Sequence, residues 1–273
     1  STAMSKKIAI LGAGNLGTAI ASGLVESAKF KAPDITLTRR RVSMLEPYKE
    51  HGFYVTKSNE EAVNRSEVVI IAVEPSQIDD LLNQIKAFLD PEKHLLISVV
   101  TAVDIGYMKS LLGYDINMVR AMPNTAISIG ESMTCLCTDS INGDVIDTAT
   151  EIFNTVGKTV TILEEQMTAA TALCACGIAF FLRSIRAASQ GGTEIGFHAN
   201  EALKMAAQTA KGAASLLADK DNHPEFEIDR VTTPRGCTIA GLNEMEHSGF
   251  SSAMIKGILH SARKAETLHS DKE

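Results

Sequence analysis

The stretch Lys7-Ile8-Ala9-Ile10-Leu11-Gly12-Ala13-Gly14-Asn15-Leu16-Gly17 decides the fold. An apolar run of strand length meets three glycines spaced G-x-G-x-x-G, and Thr18-Ala19-Ile20-Ala21-Ser22-Gly23-Leu24-Val25 continues with the small and apolar residues of a helix. Strand, tight turn and helix start follow one another in the order that a dinucleotide pyrophosphate requires. Gly12 permits the sharp turn, Gly14 lets backbone approach the phosphates, and Gly17 lets the helix pack close to the strand. The helix N-terminus then offers unpaired N–H groups and the positive end of a dipole. Glycine turns between strand and helix also occur without a ligand, so the stretch gains its weight from the βα rhythm that follows.

That rhythm continues with Asp34-Ile35-Thr36-Leu37-Thr38, which reads as the second strand and ends in Arg39-Arg40-Arg41. This is roughly 20 residues past the glycine turn, where an NAD-binding unit places Asp or Glu on the ribose hydroxyl. No acid stands there. Arginines can instead grip a 2′-phosphate through charge-assisted, bidentate contacts, which favours NADP(H) and assigns the grip to Arg39 and Arg40. A solvated charge run capping a strand is the alternative.

Further strands are expected at 53–56, at Glu67-Val68-Val69-Ile70-Ile71-Ala72-Val73, at His94-Leu95-Leu96-Ile97-Ser98-Val99-Val100 and at Asn117-Met118-Val119-Arg120-Ala121-Met122, with helices at 76–89 and 103–112 between them. Near-continuous apolar, β-branched runs are the mark of parallel strands buried on both faces. Strands at 129–137 and 157–163 around a helix at 142–155 complete a first domain, residues 1–163. From Glu164 the texture changes. The stretches 166–192, 199–218 and 236–269 are rich in Ala, Leu, Ile and Met with helical periodicity, so residues 164–273 form a second, all-helical domain. The fold class is α/β: an N-terminal Rossmann-like, doubly wound, mostly parallel sheet with a C-terminal all-helical domain. The first long helix is apolar on most sides and calls for other helices around it, which favours a homo-oligomer.

Bulk properties agree. The 273 residues are 45% hydrophobic, enough for a substantial core. A formal charge of -7 argues against a general nucleic-acid binder. No uninterrupted apolar run reaches the roughly 18 residues of a membrane span. The leading Ser1-Thr2-Ala3-Met4-Ser5-Lys6-Lys7 lacks the apolar core of a signal peptide, and the residues before Met4 read as a cloning remnant, so a cytoplasmic location is expected. The five cysteines include two C-x-C pairs, Cys135/Cys137 and Cys174/Cys176, without the usual zinc spacing or a neighbouring histidine; reduced, mostly buried thiols and no metal are expected.

One loop interrupts the helices: Asp229-Arg230-Val231-Thr232-Thr233-Pro234-Arg235-Gly236-Cys237-Thr238-Ile239. It sets hydroxyls and free N–H groups at a helix start, which suits a small carboxylate and suits an ordinary capped helix equally.

Taken together, Ile10-Leu11-Gly12-Ala13-Gly14-Asn15-Leu16-Gly17, Ala72-Val73-Glu74-Pro75, Val119-Arg120-Ala121-Met122-Pro123-Asn124-Thr125 and the loop Thr233 to Ile239 followed by Gly249-Phe250 resemble the pyrroline-5-carboxylate reductases. The similarity runs from Met4 to near the C-terminus. The resemblance implies NADPH-dependent reduction of a cyclic imine to L-proline, and a helical domain that interlocks with another subunit as a homodimer or higher oligomer. It implies a pyrophosphate turn at Gly12, Gly14, Asn15, Leu16 and Gly17, and a phosphate grip at Arg39 and Arg40. Asn59 would lie near the adenosine, and Val73, Pro75, Met122, Pro123 and Asn124 around the nicotinamide. Thr233, Arg235, Gly236, Cys237, Thr238 and Cys176 would border the imino-acid substrate, with the Thr238 hydroxyl, as the catalytic group, near the imine nitrogen.

The chain departs from the family pattern in several places. Cys174-Ala175-Cys176-Gly177-Ile178-Ala179-Phe180 stands where Ser-Gly-Ser-Gly-Pro-Ala-Tyr is usual, Arg235-Gly236 replaces Gly-Gly, Arg186 replaces an acid, and Glu74 replaces Lys. Three other readings stay open on the residues: a paralogue reducing another cyclic imine or ketimine, a non-catalytic NADP(H) sensor, and a hydroxy-acid dehydrogenase. The last requires an acid/base such as Lys158 or Lys204, and neither lies in a motif that places it at a nicotinamide.

Overall fold

The computed structural model describes residues 6–218 and 220–270; Ser1 to Ser5, including Met4, lie outside the described residues. Eight strands form one sheet: β1 (Ile8–Leu11), β2 (Ile35–Thr38), β3 (Tyr54–Thr56), β4 (Val68–Ile71), β5 (Leu95–Ser98), β6 (Met118–Met122), β7 (Ser132–Thr138) and β8 (Gly157–Thr161). Their order is β3-β2-β1-β4-β5-β6-β7-β8, with β1 as the branch point between β2 and β4. All neighbours are parallel except β6 and β7, which run antiparallel with Val119 opposite Thr138 and Met122 opposite Cys135. The expected mostly parallel, doubly wound sheet is therefore present.

Successive strand residues point to opposite faces, and the sheet has a core on each. Ile8, Ile10, Leu37, Ile70 and Ile97 lie on one face with Ile20 and Leu24 of helix α1 (Asn15–Glu26). Short helix α2 (Glu46–Glu50) follows β2. Ala9, Leu11, Val69, Ile71 and Leu96 lie on the other face with α3 (Asn59–Asn64), α4 (Ile78–Ile85) and α5 (Ile105–Leu112). Helix α6 (Gly143–Phe153) returns to the first face through Ala149, Ile152 and Phe153. Residues that sequence alone gives to one helix at 76–89 divide: Pro75 opens a single tight turn to Gln77, and the α-helix ends at Ile85. The expected strand start at 129 moves to Ser132, because Asn124 caps a turn over Thr125–Ile129.

Beyond β8 a short helix α7 (Met167–Ala170) leads into a widened π-turn, Thr171–Ala175. Met167 and Ala172 are buried, and Cys174 packs on the second core. The chain divides into two compact units, residues 1–175 with 265–273, and residues 176–264. The helical turns 164–175 thus belong with the sheet.

The second unit holds α8 (Cys176–Glu194), α9 (Ala199–Ala218), α10 (Pro224–Arg230), α11 (Cys237–His247) and most of α12 (Phe250–Ser270). The expected single helix over 236–269 is two, broken at Ser248-Gly249, where Gly249 takes φ 83°. Among its described residues only Gly177, Ser189 and Ala202 are buried. Residues Glu164–Glu194 are long and apolar enough, by length and composition, to cross a membrane, and 11% of the most apolar window is buried. That corrects the expectation of no span-length stretch. Arg183, Ser184 and Arg186 interrupt every strict apolar run, but alanine, leucine and phenylalanine around them keep the average high.

Candidate functional site

The glycine turn joins β1 to α1 at the carboxyl end of the sheet, beside the branch point where open α/β sheets take their ligands. Gly12 has φ 81°, and a Cβ there would stand 2.5 Å from Val73 Cγ1. A Cβ on Gly17 would meet Ile10 Cγ2 at 3.0 Å, so this glycine brings α1 onto β1. A Cβ on Gly14 would meet no protein atom within 4 Å; only open space lies above it. No side chain caps α1, and no acid lies in its first turn, so its leading N–H groups face that space unneutralised. Backbone bonds fix the turn: Ala13 N donates to Thr38 O at 2.7 Å and Gly14 N to Gly12 O at 2.7 Å.

The end of β2 extends the same edge. Thr38 Oγ1 accepts from Gly12 N at 3.3 Å and donates to Asn59 Oδ1 at 2.6 Å, while Asn59 Nδ2 donates to Gln84 Oε1 at 3.0 Å. Asn59 is thereby held at the glycine turn. Arg40 and Arg41 are exposed and Arg39 half-buried, and none of the three guanidinium groups has a partner among the described residues. Free cations beside an uncapped helix start fit a polyphosphate dinucleotide with a further phosphate.

A cavity of about 590 Å³ opens next to the turn. Asn15 and Leu16 border it from α1, Val99 to Ala102 from the end of β5, and Met122, Pro123 and Asn124 from the end of β6. Its apolar walls and few polar groups fit a flat aromatic ring such as nicotinamide. Asn124 is fixed on three sides: its N–H donates to Ser132 Oγ (3.1 Å), its Oδ1 accepts from Ala126 N (3.1 Å), and its Nδ2 donates to the Cys174 carbonyl (3.2 Å). Thr171 Oγ1 donates to Met122 Sδ at 3.0 Å. Val73 and Pro75, the remaining candidates of this group, are half-buried just past β4; Val73 lies against Gly12.

Arg120 stands in the motif Val119 to Thr125, where the sequence pattern assigns it no role. It is a 7% exposed cation in an apolar strand, on the cavity wall. Its Nη1 reaches Asp104 Oδ1 at 3.3 Å and Glu164 Oε2 at 3.2 Å, and Glu164 Oε2 also accepts from Ile105 N at 3.0 Å. A buried charge has to be paired, so one charge inside the apolar run Met118 to Met122 was the available signal. The pairing ties the β5–α5 connection to the start of the helical turns at 164. Ala102 in that connection holds φ 61°, a costly conformation for a residue with a Cβ.

Burial pushes the Cys137 thiol up to about 11 against the opposing pull of the Arg120 charge. Among the described residues no group of three or more His, Cys, Asp and Glu side chains converges as a metal site would require.

The substrate-loop candidates lie in the second unit. Thr233, Arg235, Cys237 and Thr238 are exposed, Gly236 and Cys176 half-buried. Gly236 is the N-cap of α11 without a side-chain cap bond, so Cys237 and Thr238 sit in a first turn with open N–H groups. A Cβ on Gly236 would come within 2.5 Å of Thr233 Oγ1, which closes the loop tightly. Arg235 takes φ 61°, where glycine would be unstrained.

Residues 7–102 match the family model described as NADP oxidoreductase coenzyme F420-dependent, and residues 164–268 match the one described as pyrroline-5-carboxylate reductase dimerisation. The chain is 54% identical to pyrroline-5-carboxylate reductase 1 of Dictyostelium discoideum over 97% of its own length and 50% of that protein's. It therefore spans half the length of this relative. With pyrroline-5-carboxylate reductase 2 of the same organism it shares 49% identity over 96% of the chain and 92% of the relative. A solved pyrroline carboxylate reductase of Plasmodium falciparum, with NADP bound, superposes with a TM-score of 0.81 at 25% identity, covering 98% and 99% of the two chains.

Proposed function

Since the chain belongs to the pyrroline-5-carboxylate reductase family, we propose that it reduces the cyclic imine 1-pyrroline-5-carboxylate to L-proline, the closing step of proline synthesis, with NADPH as reductant. The observation that carries this reading is the 49% identity spread over nearly the whole of both chains, since it includes the cofactor turn and the substrate loop together. The cofactor is NADP(H), and when bound it supplies the hydride for the imine carbon.

The chain's own residues hold, orient and exclude water. Gly12, Gly14, Asn15, Leu16 and Gly17 receive the pyrophosphate, which the open space over Gly14 and the uncapped start of α1 support. Arg39 and Arg40 take the 2′-phosphate, and Asn59 the adenosine side. Met122, Pro123 and Asn124 border the nicotinamide from the 590 Å³ cavity, and Val73 and Pro75, just past β4 and outside that cavity's lining, complete its surroundings. The loop Thr233 to Thr238, with Cys176, receives the substrate carboxylate, and Thr238 Oγ1 hydrogen-bonds at the imine nitrogen. A protonated imine is already electrophilic, so positioning carries most of the catalytic burden and no further acid/base is needed. The dinucleotide function is assigned to the region up to residue 163 and dimerisation and substrate binding to the region from 164, where the family match begins, although the compact helical unit itself starts only at 176. Two copies pair through the C-terminal helices, which the exposed apolar side chains of 176–264 support. The cytoplasmic location is kept on the five free thiols.

The deciding experiment is NADPH oxidation with pyrroline-5-carboxylate against a panel of other cyclic imines. The expected result is the highest kcat/KM on pyrroline-5-carboxylate. A higher value on another imine identifies a divergent paralogue, and binding of NADPH without turnover of any imine identifies a sensor.

A further inference from the structure

Two thiols that the reaction does not use face each other beside the cofactor cavity. Cys135 lies on β7, 1% exposed, in the core cluster that also holds Leu11 of β1 and Met167 of α7. Cys174 lies in the π-turn Thr171–Ala175, half-buried, against the same cluster. Both are free, and their Sγ atoms are 3.8 Å apart.

The place of Cys174 matters as much as the distance. Single π-turns mark irregular, often functional points in helices. This one contributes Thr171 and Ala175 to the cavity wall. Its Thr171 hydroxyl bonds Met122, and the Cys174 carbonyl is the acceptor for the Asn124 amide at 3.2 Å. A displacement of Cys174 therefore moves two cavity residues and the group that orients a third. The pair is also chemically unequal. Either S–H can donate across the contact; the bond to Cys135 holds the Cys174 thiol below its ordinary range, with burial opposing, while the same bond and burial push Cys135 above its own. A more acidic, half-exposed thiol beside a buried one is the arrangement of an attacking and a resolving cysteine.

We infer that Cys135 and Cys174 are an oxidation site, closed by hydroperoxide to an intramolecular disulfide that draws the Thr171–Ala175 turn toward β7 and weakens NADPH binding. The Cys174 thiolate attacks one oxygen of hydrogen peroxide, the O–O bond breaks, and the departing hydroxide takes up the thiol's proton as water. Sulfur of Cys135 then attacks the sulfenic sulfur of Cys174; the S–S bond forms, the S–O bond breaks, and a second water leaves with the Cys135 proton. Two thiols lose two electrons and two protons, and the peroxide gains them. Closing from 3.8 Å to a disulfide length of about 2.05 Å requires a sulfur approach of under about 2 Å, shared between side-chain rotation and movement of the turn. Moving the turn breaks the bond from the Asn124 amide to the Cys174 carbonyl and shifts two wall residues, and the loss of one hydrogen bond's worth of binding is about tenfold, so a loss of about tenfold in NADPH affinity is expected. The inference needs only the NADP(H) cofactor and stands whichever imine is reduced; NADPH binding, not turnover, is therefore the readout.

The full chain is treated with stoichiometric hydrogen peroxide, alkylated, digested and mapped by mass spectrometry, and NADPH affinity is measured by fluorescence before and after oxidation and after dithiothreitol. The expected result is a Cys135–Cys174 linked peptide, NADPH affinity reduced about tenfold and restored by dithiothreitol, and loss of this response in Cys174→Ser and Cys135→Ala. Cys174→Ser keeps the carbonyl that Asn124 uses and sits at a half-exposed position, so it decides the matter alone if the buried Cys135→Ala does not fold. Oxidation confined to other cysteines, a Cys135–Cys174 link with unchanged affinity, or an unchanged peroxide response in Cys174→Ser overturns the inference.

Discussion

Phe153, Ile10 and Leu37 in the sheet unit are fully enclosed, whereas Phe181, Leu182 and Ile255 in the helical unit are each more than half exposed. Both units are rich in apolar residues, so composition does not separate them; what differs is where the covering surface comes from. A sheet with helices on both faces closes its two cores within one chain. Helices whose apolar stripes face outward cannot offset their ordering entropy without another surface. The first unit is thus expected to be stable by itself, and the second, on the proposed pairing of two copies, to draw its stability from the partner copy. Matched substitutions test this. Phe153→Ala is expected to cost about 3–5 kcal/mol as a core cavity, equally at low and high protein concentration. Phe181→Asp is expected to cost under about 0.5 kcal/mol within a single chain but to dissociate the oligomer and make Tm concentration-dependent. Thermal scans over a hundredfold dilution series with sedimentation check both. A concentration-independent Tm and unchanged mass for Phe181→Asp would break the contrast.

The two units also divide cofactor from substrate in the proposed function, and kinetics can sharpen that division. Replacing Arg39 and Arg40 by Ser removes charge-assisted contacts of about 1.5–3 kcal/mol, so kcat/KM with NADPH should fall about ten- to hundredfold while that with NADH changes little. Equal loss with both cofactors would remove the phosphate grip. Thr238→Ala, in the other unit, should lower turnover of pyrroline-5-carboxylate about tenfold and leave NADPH affinity unchanged, since one hydrogen bond to the substrate is lost. Lost NADPH affinity in that variant would place Thr238 on the wrong side of the division.

The same contrast explains how far the sequence could be read. Strand positions, the two-faced sheet and the glycine turn were legible because β-branched runs such as Val68 to Ile71 and the spacing of Gly12, Gly14 and Gly17 state local requirements directly. The resemblance added the loop at 233–239, which physics alone left open between a carboxylate site and a helix cap. What escaped depends on non-local pairing. The partners of Arg120 come from 104 and 164, and the approach of Cys174 to Cys135 joins residues 39 apart. Periodicity sees neither, nor could it locate the π-turn, because a single extra residue per turn leaves the apolar pattern of 166–192 almost unaltered.

The smallest expected effect tests whether a departure from the family pattern in the helical unit is functional or tolerated strain. Arg235 has φ 61° and an exposed side chain without a partner among the described residues. A residue with a Cβ in the left-handed region costs about 1–2 kcal/mol, and glycine returns about 0.5–1 kcal/mol of that as unfolded-state entropy. Arg235→Gly should therefore raise stability by about 1 kcal/mol or less, read as a small rise in Tm. If the guanidinium adds charge to the carboxylate site, KM for pyrroline-5-carboxylate should rise severalfold in the same variant with kcat nearly constant, because a ground-state contact is lost. Arg235→Asn separates the two causes: Asn tolerates the left-handed region without supplying charge, so it should reproduce the KM effect with less of the gain in stability. A Tm gain with KM unchanged in both variants would leave Arg235 as strain without a role in binding, and the carboxylate would then be held by the first-turn N–H groups of α11 alone.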